Sequence, residues 1–315
     1  MEKSIENITF IELWEEYDKF LRIKLKSQSY RKENSCYKLH ILPYFGHIKV
    51  VDITHSVYLN WMSEIEQLKF KYSYKSSLHG YMVSILNYAI KFYGLKENIA
   101  SKFGNFNKLK SEHTKIDFWT YEEFEKFISV VDDEIYKTFY ETMYFTGLRL
   151  GECIALNWND FENGYIEVNK TICKEKDEFN NYIFNSPKTS KSYRKIKLDN
   201  MLINSLNNLY LKQQKQVGFS KDWFIFGGKK PLSQSTIGRR KDQYCKKANV
   251  KKIRMHDFRH SHATLLLSSG VPITVISQRL GHSDIATTLN IYSHFCYKDE
   301  NKAISNINNL RTKNI

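Results

Sequence analysis

The stretch Thr146–Glu152 reads Thr-Gly-Leu-Arg-Leu-Gly-Glu and comes directly after an apolar helical segment. It places Arg149 between two glycines. Glycine lets the backbone turn sharply and approach a ligand closely, so the planar guanidinium of Arg149 could hold two phosphate oxygens at once. Taken alone, the pattern also fits a surface arginine at a helix junction. Its meaning depends on the motifs further along the chain.

A second stretch, His256–His260, reads His-Asp-Phe-Arg-His. His256 and Arg259 are three residues apart, which places an imidazole and a second guanidinium on one face of a helix. His256 and His260 also have the spacing of a metal-binding pair, but the glutamate that accompanies such a pair in H-E-x-x-H is absent. For His260 and His262 we therefore prefer core packing or helix capping over a metal site.

A third stretch lies nearer the C-terminus. Pro272 is typical of a first helical turn, and the helix that it begins ends at Gly281, with His282 directly after it. Ser283 is a plausible N-cap for the next helix, which carries Tyr292. Pairs of helices joined at a glycine also occur in helix-turn-helix DNA-binding proteins, and that interpretation stays open at this point.

Length and composition limit the class of protein. A chain of 315 residues predicts about two domains, and 21 Tyr and 20 Phe supply enough apolar surface to exclude general disorder. Only 13 Gly and 4 Pro favour long helices. No apolar run approaches the roughly 18 residues of a membrane span, the start lacks a signal-peptide pattern, and the five cysteines form no C-x-x-C pair. We expect a soluble, cytoplasmic protein.

The net charge indicates the kind of partner. The formal charge is +14, with +6 over residues 1–115 and +8 over residues 116–315. Two basic modules are suited to gripping one polyanion from opposite sides. A chain rich in surface lysine gives the same numbers, so charge alone does not decide between DNA binding and ordinary solubility.

Helical periodicity dominates the chain, and its interruptions predict the domains. Residues 8–100 read as four helices, the second over about Ser29–Leu42 and ending at Pro43 and Gly46. Residues 101–116 lose the apolar period. We predict a helical DNA-binding domain at 1–100, a basic linker at 101–116 and a second domain at 117–315 that ends in a helix at about 299–311.

Local signals refine this outline. Capping boxes are predicted at Thr9 with Glu12 and at Thr120 with Glu123. The convincing β signal lies between residues 164 and 198: one strand over 165–172 and two short strands at 181–185 and 193–198, with residues 187–190 as the turn between the last two.

Together these stretches resemble, in order, the motifs of the tyrosine recombinases, also called the phage integrase family. The resemblance is carried by Thr146–Glu152, His256–Arg259, Leu280–Ser283, Asn290–His294, and by Ser186–Thr189, which matches the family's hairpin lysine. It implies a mainly α fold: a helical, SAM-like core-binding bundle and a mainly helical catalytic domain with a small three-stranded antiparallel β-sheet.

The resemblance also implies a chemistry in which DNA is cut without water, metal or any other cofactor. Tyr292 would attack a phosphodiester and become joined to a 3′ phosphate. Arg149, Arg259 and His282 would stabilise the charge of the pentacoordinate centre. His256 would accept the proton of Tyr292, and Lys188 would protonate the leaving 5′ oxygen. Glu152 would orient its neighbours.

The implied partners are double-stranded DNA carrying recombination core sites and further copies of the chain, as a tetramer on DNA, with accessory directionality or DNA-bending proteins. About seven residues precede the first helix, so the arm-binding domain that many integrases carry is expected to be absent or truncated. The resemblance implies a site-specific recombinase that exchanges strands to integrate and excise a mobile element. Alternatives to this function stay open: a Xer-type resolvase of chromosome or plasmid dimers, a type IB topoisomerase or telomere resolvase, and a non-catalytic DNA-binding regulator.

Overall fold

The computed structural model describes residues 5–107, 117–176, 182–185 and 193–281, and the single positions Leu289, Ile304, Ser305 and Asn308. The chain divides into two compact units, Met1–Thr114 and Lys115–Ile315, which are described in turn. Among the described residues, no helix combines the length and apolar character required to cross a membrane.

The first unit is helical. Helix α1 begins after the predicted capping box, in which the Thr9 backbone N–H donates to Glu12 over 2.9 Å. Helix α5 ends at Gly94, whose φ of 72° is the left-handed conformation that favours glycine. The α-helices are α1 Phe10–Lys24, α2 Ser27–Cys36, α3 Leu42–Phe45, α4 His55–Gln67, α5 Tyr72–Tyr93 and α6 Ile99–Phe103.

The predicted end of the second helix at Pro43 is wrong. Helix α2 ends at Cys36, a π-helical turn comes next over Tyr37–Ile41, and α3 then runs through Pro43. Pro43 lies in the first turn of α3, where its missing N–H would have no helical partner. The proline therefore lies within a helix that begins at Leu42. The helix ends at Gly46, the second of the two predicted stops, whose N–H still donates to the Leu42 carbonyl.

The core of the first unit extends past residue 100, the predicted end of the first domain. Ala100 in α6 and Phe106 after it are both buried in the same cluster as Phe10 and Trp61. Apolar burial of this kind stabilises a fold by roughly 25 cal/mol per Å², so residues 99–106 belong to this unit. The predicted linker residues 108–116 lie outside the described residues.

The second unit is built around an aromatic core. Phe124 and Tyr144 stack with ring centroids 3.8 Å apart, and the Trp119 backbone N–H donates to Ser261 over 2.9 Å. The capping box predicted at Thr120 is confirmed. The α-helices are α7 Tyr121–Ser129, α8 Glu134–Thr146, α9 Leu150–Ala155, α10 Asn200–Gln214, α11 Gln234–Ala248, α12 Asp257–Ser268 and α13 Ile273–Leu280.

The β-structure is divided between two small antiparallel sheets. One sheet has the order β1 (Phe161–Glu162), β2 (Tyr165–Val168), β5 (Arg194–Lys197), and β3 (Thr171–Lys176) pairs with β4 (Tyr182–Asn185) in the other. The three-stranded sheet is therefore present, but the single strand predicted over 165–172 is wrong. The last two predicted strands also pair with different partners and not with each other.

Asp160 explains the break in that strand. Its buried carboxylate accepts a hydrogen bond from the Asn169 side chain over 2.8 Å and forms an ion pair with Lys170. Both residues lie in the break between the end of β2 and the start of β3, which belong to different sheets. Of the helix predicted at about 299–311, the described positions Ile304, Ser305 and Asn308 are helical and exposed.

Candidate active site

Arg149 lies in the turn between α8 and α9. Gly147 ends α8 with a φ of 66°, and a Cβ at this position would lie 2.7 Å from the side chains of His262 and Leu280. Only glycine fits this turn. Arg149 is the N-cap residue of α9, and its backbone N–H donates to Glu152 over 2.9 Å. Its side chain is 39% exposed, so the guanidinium can be reached from solvent.

The carboxylate of Glu152 is held between two guanidiniums. Arg149 Nη1 donates to Oε1 over 2.8 Å, and Arg194 Nη2 donates to Oε2 over 2.8 Å. Burial alone would raise the pKa of Glu152, but the hydrogen bond and charge of Arg194 and the charge of Arg149 outweigh it and lower the pKa. Glu152 is therefore ionised at neutral pH, which supports the orienting role expected from the sequence.

Arg259 is enclosed where Arg149 is open. It lies in the first turn of α12 and is 2% exposed. Its Nη1 donates to the carbonyl of Gly147 over 2.9 Å, and its Nη2 donates to the carbonyl of Leu280 over 2.6 Å. These bonds fix the guanidinium between the turn that precedes Arg149 and the end of α13.

His256 lies at the N-terminal end of α12, close enough to Arg149 and Arg259 for the charges of both guanidiniums to act on its ring. Partial burial lowers the pKa of His256, and the positive charges of Arg259 and then of Arg149 lower it further, against an opposing contribution from Asp257. The imidazole is therefore neutral near pH 7 and able to accept a proton. The structure thus brings together three of the residues selected from the sequence: Arg149, His256 and Arg259.

Three further selected residues, Lys188, His282 and Tyr292, lie outside the described residues. Their chain neighbours are described. Arg194 begins β5, six residues after Lys188, and Gly281 ends α13 with a φ of 68°, immediately before His282.

The histidines next to this site are packed in the protein interior. Burial lowers the pKa of His260 to about 4 and that of His262 to about 3. His262 Nε2 accepts a hydrogen bond from Arg279 over 3.1 Å. Among the described residues, no three His, Cys, Asp or Glu side chains are grouped as a metal site would require.

Two arginines of the site were not selected from the sequence. Arg194 is on β5, and Arg279, on α13, donates to the carbonyls of Phe145 and Lys197. The sequence holds one weak signal for Arg194. It lies two residues before Ile196, so the two residues share one face of the short strand β5. In that strand Ile196 is buried and Lys195 is exposed. An arginine buried at such a position requires an acidic partner.

Known protein families and named proteins resemble this chain. Residues 118–298 match the phage integrase family, and residues 9–65 match the N-terminal SAM-like domain of phage integrases. The chain is 30% identical over 292 residues to the ICEBs1 integrase of Bacillus subtilis (strain 168), in an alignment that covers 90% of this chain and 78% of that protein.

Solved structures share the fold. The Tn1549 transposon integrase in complex with a circular intermediate DNA superposes with a TM-score of 0.76 at 19% identity, covering 91% of this chain and 95% of that chain. The lambda integrase tetramer bound to a Holliday junction gives a TM-score of 0.64 at 16% identity, covering 89% and 79%. These likenesses confirm the predicted fold class. Because the family match spans more than half of the sequence and the named relative reaches 30% identity, the chain belongs to the phage integrase family and is a tyrosine recombinase.

Proposed function

We propose that this chain is a site-specific recombinase that integrates and excises a mobile genetic element, through a 3′-phosphotyrosine intermediate formed by Tyr292. The observation that supports it most directly is the paired-guanidinium site, in which Arg149 is held by Glu152 and Arg259 by the Gly147 carbonyl. The names of two similar proteins support the biological role: the ICEBs1 integrase is a relative by sequence, and the Tn1549 transposon integrase is a structural neighbour.

The first chemical step is an in-line attack on phosphorus. The Tyr292 oxygen forms a bond to the phosphorus of the scissile phosphodiester while its proton passes to the neutral imidazole of His256. The bond from phosphorus to the 5′ oxygen then breaks, and Lys188 supplies the proton that this oxygen needs. The phosphodiester bond energy is conserved in the protein–DNA ester, and a 5′ hydroxyl from a partner duplex reverses the step.

The two guanidiniums stabilise the negative charge that develops at phosphorus. Arg149 is open to solvent and donates directly to a non-bridging oxygen. Arg259 is enclosed, so its main contribution is a positive charge at short range in surroundings of low polarity. His282 adds a donor to the same oxygens. Strand exchange needs two duplexes and four active sites, so we propose that the chain acts as a tetramer on DNA, like the lambda integrase tetramer on a Holliday junction.

A suicide substrate tests this function. A duplex nicked close to the crossover point of a candidate attachment site loses its short 5′-hydroxyl fragment after cleavage, so the covalent adduct accumulates and is seen on a denaturing gel. We expect an adduct with the unaltered chain and with Tyr121→Phe, a control at an exposed tyrosine, and none with Tyr292→Phe. Normal adduct formation by Tyr292→Phe would show that the nucleophile is misassigned.

The same experiment separates the alternatives. A DNA-binding regulator would shift the duplex on a native gel and form no adduct with any substrate. A topoisomerase would form the adduct yet fail to exchange strands between two differently labelled duplexes. Integration of a mobile element and resolution of dimers differ in the DNA that is recombined, either two unlike attachment sites or two copies of one site.

A further inference from the structure

We propose that Arg194 is a positioning residue for recombination, which acts through Glu152 on Arg149 and through the backbone of α13 on the approach to His282. This inference rests on the proposed function. Arg194 itself lies on β5, and its side chain is only 6% exposed. It is therefore too buried to be the group that contacts DNA from solvent.

The first contact is the fork that Arg194 makes with Glu152. Its Nη2 lies 2.8 Å from Oε2 and its Nη1 lies 3.3 Å from Oε1, so one planar guanidinium spans both oxygens of the carboxylate. The same two oxygens hold the backbone and side chain of Arg149. The orientation of Glu152, and with it the direction of Arg149, therefore depends on Arg194.

The second contact is with the end of α13. Arg194 Nε donates to the carbonyl of Arg279 over 2.9 Å. Gly281 packs on the same side chain, since a Cβ there would lie 3.1 Å from both Cδ and Nη1 of Arg194. The next carbonyl, that of Leu280, is held by Arg259. Arg194 and Arg259 together fix the two residues that lead to Gly281 and His282.

The charges at the site give Arg194 a role beyond holding the fold. One ionised carboxylate lies between two guanidiniums, which leaves one net positive charge among the three groups. Without Arg194, Glu152 would neutralise Arg149 one to one, in surroundings where burial strengthens the attraction. Less of the Arg149 charge would then be available to a phosphate. Lysine cannot replace the fork, because its ammonium is a point charge without paired planar donors.

The test compares two substrates that differ in charge at the scissile phosphorus. One suicide substrate carries an ordinary phosphodiester, and the other carries a methylphosphonate there, in which a methyl group replaces one non-bridging oxygen and removes the charge. The full-length variants are Arg194→Ala, Arg194→Lys and a control, Lys195→Ala, at the neighbouring residue on β5, whose side chain is 67% exposed. The readout is the single-turnover rate of adduct formation.

We expect Arg194→Ala to slow adduct formation on the phosphodiester by up to about 10²-fold, because a misdirected Arg149 would lose much of the effect of one well-placed donor to a developing charge. On the methylphosphonate the loss should shrink to a few-fold, because the ground-state charge is absent and the pentacoordinate centre carries one negative charge fewer for Arg149 to neutralise. Arg194→Lys should be intermediate on the phosphodiester, and Lys195→Ala should match the unaltered chain on both substrates.

Other outcomes would overturn the inference. Equal losses on both substrates would show that Arg194 only maintains the fold, and an unchanged rate would show that it is dispensable. If Arg194→Ala does not fold, as judged by thermal unfolding and by binding to the uncleaved site, Arg194→Lys carries the same two-substrate comparison. Failure of the unaltered chain to form any adduct would instead overturn the proposed function, and the inference with it.

Discussion

Arg259 donates a hydrogen bond from Nη1 to the carbonyl oxygen of Gly147 over 2.9 Å. This bond joins the first turn of α12 to the turn between α8 and α9, and Arg149 is only two residues further along the chain. The positions of the two guanidiniums are therefore linked through the protein itself. Such preorganisation lets donors stabilise developing charge without rearranging during the reaction.

Replacing Arg149 with lysine should separate catalysis from DNA binding. Lysine keeps one positive charge but loses the planar fork toward Glu152 and a phosphate oxygen. We expect Arg149→Lys to slow adduct formation by about 10²- to 10³-fold, with DNA affinity on a native gel changed by only a few-fold. Arg240→Lys, at an arginine paired with Asp133, is the matched control. A normal cleavage rate for Arg149→Lys would remove Arg149 from the mechanism.

Gly147 should tolerate no side chain. Gly147→Ala would put a Cβ 2.7 Å from two side chains in a left-handed conformation, and we expect it to lower the free energy of unfolding by about 1–3 kcal/mol. Gly238→Ala in α11, where a Cβ would meet nothing within 4 Å, should raise it by about 0.5–1 kcal/mol. Urea unfolding of both variants measures the difference. Equal effects would contradict the close packing around Gly147.

The buried histidines should make the second unit less stable in acid. Burial and the nearby Arg279 lower the pKa of His262 to about 3, whereas an unfolded histidine titrates near pH 6.5. Between these values the unfolded chain binds a proton that the folded chain does not. The contribution of the neutral, buried histidine to the free energy of unfolding is therefore fully present above about pH 6.5. It falls by up to roughly 1.4 kcal/mol per pH unit and per such group as the pH drops toward the folded pKa.

Calorimetry between pH 7.5 and 5.5 measures this dependence. We expect His262→Asn to be less stable than the unaltered chain at pH 7.5 and to lose less on acidification. The control is His47→Gln, at an exposed histidine of the first unit, which should leave the slope unchanged. A His262→Asn variant with the full acid dependence would show that other groups cause it.

Chelators should leave DNA cleavage unchanged. The proposed mechanism meets the charge at phosphorus with Arg149, Arg259 and Lys188 and assigns no step to a divalent ion. Adduct formation with and without EDTA tests this, with a magnesium-dependent nuclease on the same duplex as the control for chelation. Activity that is lost in EDTA and restored by a divalent ion would favour a metal held by His256 and His260.

Local chemistry made part of the fold predictable. The capping boxes at Thr9 and Thr120 depend on a partner three residues away, and both are confirmed. Arg149, His256 and Arg259 come together because their motifs lie at the ends of helices that pack against one another.

Two of the incorrect or missed predictions depend on partners elsewhere in the chain. The alternation over residues 165–172 is that of one strand, and its break requires Asp160 to capture Asn169 and Lys170. Arg194 was missed because its acidic partner, Glu152, is 42 residues earlier in the chain. Neither pairing produces a periodic pattern in the sequence, so only the folded structure reveals it.

Both ends of the segment that carries Lys188 are anchored near α9. Asn185 pairs with Thr171, whose hydroxyl packs so closely on Gly151 that a Cβ there would lie 2.5 Å from it, and Arg194 is bound to Glu152. In the proposed mechanism Lys188 is thus a tethered reagent. Its effective concentration near Arg149 would depend on the number of residues between these two anchors, and each doubling of that number would cost about 0.6 kcal/mol in closure entropy.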